Sequence, residues 1–274
     1  MELEIYSSET IDKKLEFIRE ELSGKSVVVA FSGGVDSTVL AYLCGKFADT
    51  TLLVMQTGSS IAIGEVQLAQ QQAEQLNLPI EFIEYDEVDY SDDYAANPSN
   101  RCYYCKQLLH GFLEKKRHAL GFDLVVSGTN ASDLQGHRPG HQAALEAGVV
   151  NPLADASLSK QEIRWIANDA GLNAWDKPAS ACLASRFVTG VQITKTGLRR
   201  VAEAEYYLRT HYGVRVLRVR DHGGLARIEI GSDELAQFCE QADFDSITSH
   251  LKQLGFDYVT LDMNGYRPYV PVEE

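Results

Sequence analysis

The feature that most constrains this chain is a short turn, SGGVDS (32–37), set between a β-branched run and an apolar helical stretch. The run SVVVAF (26–31) is continuous apolar sequence, as expected of a parallel strand buried on both faces. The stretch TVLAYLCGKF after the turn has the length and composition of a helix. Folded this way, the chain brings Gly33 and Gly34 against a helix N-terminus. Backbone N–H groups converge there, at the positive end of the helix dipole. The hydroxyls of Ser32 and Ser37 add donors, so the turn suits phosphate. Asp36 is out of place in a pure anion site, but it makes sense where Mg²⁺ bridges its carboxylate to pyrophosphate oxygens. The spacing is neither that of the Walker loop nor G-x-G-x-x-G.

The same alternation continues. Ile11, Leu15, Ile18 and Leu22 form a helical stripe, and TLLVM (51–55), IEFIEY (80–85) and DLVVSG (123–128) read as further strands. VQLAQQQAEQL and residues 102–120 read as helices, a polar loop covers about 86–101, and Ser159 with Glu162 forms a capping box. This pattern predicts an α/β doubly wound parallel sheet with ligands at the carboxyl ends of its strands. SGGVDS, QTGSS (56–60) and SGTNASD (127–133) all fall at that edge. Gly128, Thr129, Asn130 and Asp133 are there to line a nucleotide pocket. From about residue 185 the pattern changes to a small α+β domain. It has a helix over about 195–210, strands at 214–219 and 226–230, helices near 233–241 and 245–254, and a last strand at 257–262. The expected division is 1–184 and 185–274.

Charge and cysteines narrow the chemistry. Lys plus Arg number 25 against 39 Asp plus Glu, a formal net charge of -14, which disfavours a broad grip on nucleic acid or anionic lipid. No apolar run reaches membrane length and the acidic N-terminus has no secretory pattern, so a cytoplasmic protein is expected. Of five cysteines, Cys44 and Cys239 read as structural. Cys102 and Cys105 form C-Y-Y-C, a spacing open to a redox pair, half a zinc site or an iron–sulfur site. Structural zinc would need a fourth ligand such as His110 or His137. Three thiolates suit a 4Fe-4S cluster with one iron open. Cys182 is flanked by Lys177 and Arg186, cations that favour a thiolate.

SGGVDS resembles the signature of the PP-loop ATP pyrophosphatases. The resemblance implies ATP cleavage between the α and β phosphates, adenylation of a substrate, and adenosine recognition around Thr57. NPSNRCYYCK, SGTNASDLQGHRPG, NPLADASLSKQEIR, WDKPASACLASRF, RVRDHGGLARIEI and GFDYVTLDMNGYR, in that order, resemble the LarE family of ATP-dependent sulfur transferases. Membership implies a PP-loop enzyme, commonly a homo-oligomer, acting on pyridinium-3,5-biscarboxylic acid mononucleotide in the maturation of the nickel-pincer cofactor of lactate racemase. One carboxylate would be adenylated and converted to a thiocarboxylate, with contacts to other maturation proteins in prospect.

The family has two sulfur routes. In one, a cysteine at the position of Cys182 sacrifices its own sulfur. In the other, three cysteines hold a 4Fe-4S cluster that carries extra sulfide, and Cys102, Cys105 and Cys182 match this pattern. The resemblance assigns substrate phosphate to Arg218 and Arg220, and a divalent metal to Glu205, Glu229 and Asp233. Arg186 would neutralise charge on the adenylate. The chain departs from the family pattern at FVTG (187–190) and at Ser127. A tRNA thiolase shares the loop and the cysteines but calls for a basic surface. An amide-forming ligase explains the loop alone, and a nucleotide-sensing module would bind ATP without releasing pyrophosphate.

Overall fold

The protein is described by a computed structural model that covers residues 8–134, 139–177 and 181–267. It divides into two compact units. The first takes in residues up to 58, 64–90 and 100–180; the second takes in 59–63, 91–99 and 181 onward.

The first unit runs α1 (Ser8–Leu22), β1 (Ser26–Ala30), α2 (Val35–Phe47), β2 (Thr50–Thr57), α3 (Glu65–Leu76) and β3 (Ile80–Glu84). After a short helix α4 (Asp92–Ala95), which belongs to the second unit, it resumes with α5 (Arg101–Leu120) and β4 (Leu124–Ser127). The helices α6 (Pro139–Glu146), α7 (Pro152–Asp155) and α8 (Lys160–Asp169) complete it. The four strands lie in the order β3-β2-β1-β4, and each neighbouring pair is parallel. This is the parallel sheet expected of the PP-loop fold. The chain leaves β1 toward β2 on one side, and β4 takes the other side. The crevice at the carboxyl end of β1 is therefore a topological switch point, the place where such sheets bind ligands.

Packing follows from strand composition. Val28, Leu52, Val54 and Val125 turn one sheet face to Leu113 of α5, Ala144 of α6 and Val149. Val27 and Val29 alternate to the other face and are fully buried. Cys44 of α2 is also fully buried, and burial pushes its thiol up to about 12. At α8 both halves of the capping box form: Ser159 accepts from Glu162 N, and Glu162 accepts from Ser159 N at 2.8 Å. Lys14 closes on the same carboxylate at 2.7 Å.

His110 of α5 is buried, and burial, with Lys106 adding, pushes its imidazole down to about 4 from 6.5. The folded state thus holds a neutral ring that the unfolded chain would protonate near pH 6.5. Its stabilising contribution is complete above that pH and is lost as pH falls through about 4. Between pH 7 and 4.5 the loss is on the order of 2–3 kcal/mol. Urea unfolding should show wild type losing more over this interval than His110→Gln. Equal losses would remove His110 as the cause.

The second unit contains α9 (Lys195–Tyr212), β5 (Leu217–Asp221), β6 (Leu225–Ile230), α10 (Ser232–Gln241), α11 (Phe244–Gln253) and β7 (Tyr258–Leu261). Its sheet has the order β5-β6-β7, antiparallel between β5 and β6 and parallel between β6 and β7. β5 starts later than the apolar run from residue 214 predicts. Arg215 N and Val216 N donate to the Glu234 carboxylate, each at 2.9 Å, and not to a neighbouring strand. Cys239 lies on a helix as expected but is exposed, so it is not a core residue. No helix among the described residues is long and apolar enough to cross a membrane.

Candidate active site

In the first unit the chain turns from β1 into α2 through Gly33 and Gly34. Gly33 has φ +66°, which a residue with a side chain seldom adopts, and an added Cβ would stand 3.1 Å from Ala69 Cβ. Ser32 and Ser37 hydroxyls lie 3.2 Å apart, and Ser37 Oγ donates to Gly34 O at 3.0 Å. The loop after β4 packs directly on this turn, because a Cβ on Gly128 would meet Ser37 N at 3.0 Å. Asn130 donates to Asp36 Oδ1 at 3.3 Å and to Asp133 Oδ2 at 2.7 Å. Ser127 donates to Asn151 at 2.8 Å and lies 3.2 Å from the Thr129 hydroxyl. Thr57 ends β2, on the strand beside β1. The structure therefore gathers Ser32, Gly33, Gly34, Asp36, Ser37, Gly128, Thr129 and Asp133 at one strand edge.

Two cations at this cradle escape a reading of the local sequence. Lys160, at the start of α8, pairs with Asp36. Lys177 donates to Gly33 O at 3.0 Å and to Glu65 at 2.7 Å. Lys177 thus serves the loop. The motif SGGVDS contains no cation, and nothing short-range signals the import of two from more than a hundred residues away.

In the second unit Cys182 is half-buried and precedes a tight turn, Leu183–Arg186. Arg186 is 2% exposed. Its Nε and Nη2 donate to the two Glu205 oxygens at 2.8 and 3.1 Å, and its Nη1 donates to Ala181 O and Ser185 Oγ, both at 2.9 Å. The guanidinium holds the cysteine-bearing turn and also borders the cavity on which Arg220 opens. Glu205 also accepts from Arg209 and from Val219 N.

Arg218 is buried, stacks over the Tyr266 ring at 5.1 Å, and is pushed down by burial and by neighbouring Arg186. Arg220 instead opens on a cavity of about 360 Å³, together with Ser185, Arg227, Glu229, Asp262 and Arg267. That size suits a small ligand. Arg220 and Arg227 are direct cross-strand partners, and Glu229 bridges these like charges at 2.9 and 2.7 Å.

Two metal expectations meet this geometry. Among the described residues no group of three or more His, Cys, Asp or Glu side chains is gathered to hold a metal ion. Glu205 and Glu229 are neutralised by arginines and Asp233 is exposed at the start of α10, so the expected acidic metal site is not formed. Of the thiols, Cys102 and Cys105 share the first turn of α5, where an i, i+3 spacing puts them on one face. Cys105 Sγ lies 3.7 Å from the buried Glu87 carboxylate. Cys182 belongs to the other unit. His110 is buried in α5 with its ring held neutral, and His137 lies outside the described residues.

Comparison with known proteins agrees with the loop geometry. The NAD synthase family model matches residues 9–111. A Synechocystis protein of unassigned function is 39% identical over 94% of this chain and 96% of its own length. The pyridinium-3,5-bisthiocarboxylic acid mononucleotide synthase of Lactiplantibacillus plantarum is 33% identical over 88% of this chain and 87% of its own. A tRNA-specific 2-thiouridylase of Chlamydia abortus is 30% identical, but over only 54% of the chain. Likeness across both units, together with a PP-loop cradle built at the switch point, makes this chain an ATP-dependent enzyme that belongs to the LarE family.

Proposed function

We propose that the protein activates a carboxylate of pyridinium-3,5-biscarboxylic acid mononucleotide with ATP and converts it to a thiocarboxylate. The observation that carries this reading is the near full-length likeness to the Lactiplantibacillus synthase. In the first step a substrate carboxylate oxygen attacks the α-phosphorus and pyrophosphate leaves. Ser32, Gly33, Gly34 and Ser37 hold the phosphates, while Thr57, Gly128, Thr129 and Asp133 line the nucleotide pocket. Asp36 offers the hard oxygen ligand that Mg²⁺ prefers, with Asn130 and Lys160 already orienting its carboxylate.

In the second step a sulfur nucleophile attacks the acyl carbon and AMP departs with the bonding pair. Cys182 stands at this step. Three thiols, Cys102, Cys105 and Cys182, are a suitable donor set for a 4Fe-4S cluster, which when bound supplies a sulfide on its open iron. The arginine-lined cavity supports an anionic substrate, with Arg220 facing its phosphate and the buried Arg218 holding the strand behind it. The protein works in the cytoplasm as a homo-oligomer in contact with other maturation proteins.

The test is mass analysis of the mononucleotide after anaerobic incubation with ATP, Mg²⁺ and reconstituted protein. Oxygen-to-sulfur replacement with stoichiometric AMP and pyrophosphate is expected. Pyrophosphate release with no sulfur in the product would end this assignment and favour an amide-forming ligase.

A further inference from the structure

Asn97 is fully buried, with φ +56°, and the chemistry above makes no use of it. Its amide nitrogen donates to Val188 O at 2.8 Å and to Val191 O at 2.9 Å. Its carbonyl accepts from Gly190 N at 2.9 Å, and that of Ala95 accepts from Ile193 N at 2.8 Å. Farther up the same stretch, Leu183 N donates to Ser60 O at 2.8 Å. All of these residues lie in the second unit. The stretch 183–193 is therefore fastened at its head by the segment that follows β2 and at its tail by the segment that follows β3. Cys182 is the residue directly ahead of the fastened head, and Arg186 within the stretch binds the backbone on either side of that thiol.

We propose that Asn97 is a positioning residue for Cys182: through 188–193 it keeps the cysteine-bearing turn in one conformation, so that sulfur delivery keeps pace with adenylation. The inference rests on the sulfur-transfer reading above. Two features of Asn97 separate shape from attachment. The left-handed backbone is open to glycine at least as readily as to asparagine. The two side-chain bonds to the Val188 and Val191 carbonyls come from the carboxamide. A residue present for the turn alone would be replaceable by glycine without consequence. Asn97→Gly therefore keeps the backbone conformation and the Gly190 bond and removes the carboxamide with its two donations.

The experiment uses full-length protein and two readouts. In reduced, metal-free protein, site-resolved iodoacetamide labelling should modify Cys182 about 10-fold faster in Asn97→Gly than in wild type, because a loosened turn opens locally more often. Labelling of Cys239, exposed elsewhere in the same unit, should not change. In reconstituted protein the ratio of pyrophosphate released to thiocarboxylate formed should rise about fivefold or more, while pyrophosphate release stays within about twofold. A folded variant with the wild-type Cys182 labelling rate overturns the proposal, and so does one in which both products fall together. If wild type itself forms no thiocarboxylate, the sulfur-transfer reading fails, and the labelling comparison still decides whether Asn97 restrains the turn.

Discussion

Cys182→Ser protein is expected to lose thiocarboxylate formation by at least about 10³-fold, because a serine hydroxyl at neutral pH is a far weaker nucleophile and metal ligand than a thiolate. Pyrophosphate release should not fall in parallel. The groups proposed to bind and cleave ATP sit at the carboxyl edge of the first unit's sheet, whereas Cys182 belongs to the second unit. A coupled pyrophosphate assay beside product mass analysis separates the two steps, and an equal loss of both would place Cys182 in activation. Cys102→Ala divides the sulfur routes. With a three-thiol cluster it should abolish the broad visible absorption of reconstituted protein together with repeated turnover. A sacrificial cysteine would still give one thiocarboxylate per chain, with Cys182 itself left short of hydrogen sulfide by mass.

The second large effect is on stability. Glu205 is 4% exposed and faces Arg186, Arg209 and the Val219 amide, with buried Arg218 close enough to feel its charge. Glu205→Leu leaves the 2%-exposed Arg186 without its counter-charge beside a second buried guanidinium. Breaking such a pair from one side costs about 3–5 kcal/mol. Replacing both partners in Glu205→Leu/Arg186→Met should recover much of that loss, since two apolar groups need no compensation. Urea denaturation monitored by circular dichroism gives the comparison. Wild-type stability should also be insensitive to EDTA. A chelator effect as large as that of Glu205→Leu would return the carboxylate to the role of metal ligand.

The parts of this molecule that were legible in sequence are those set by near neighbours. Continuous Val and Leu runs gave the parallel strands, since strands buried on both faces have no polar alternation to lose. The Ser159–Glu162 box marked the start of α8 because both hydrogen bonds lie within one turn. The phosphate turn was legible for the same reason: glycine, hydroxyl and helix start are consecutive. What escaped depends on distant pairing. Lys160 looks like an ordinary surface lysine and Lys177 like a neighbour of Cys182 until folding sets them on Asp36 and Gly33 O. Arg186 and Arg218 look like free cations for an anion, yet one is paired with Glu205 and the other is buried against Tyr266. Asn97 carries no signal beyond a polar loop, because its partners lie about ninety residues downstream.

The fastening of 183–193 by residues 60 and 95–97 bears on how the protein can be taken apart. A fragment begun at Ala181 would resemble a tidy C-terminal piece, but it would leave the partners of Leu183, Gly190 and Ile193 amides behind on the other fragment. Those donors and the Val191 carbonyl would have to find water instead. Split-protein pairs and fusions should therefore break the chain elsewhere. By the same logic, insertions between β2 and α3 or between β3 and α5 would perturb the turn that carries Cys182, even though in sequence they fall well inside the nucleotide-binding half.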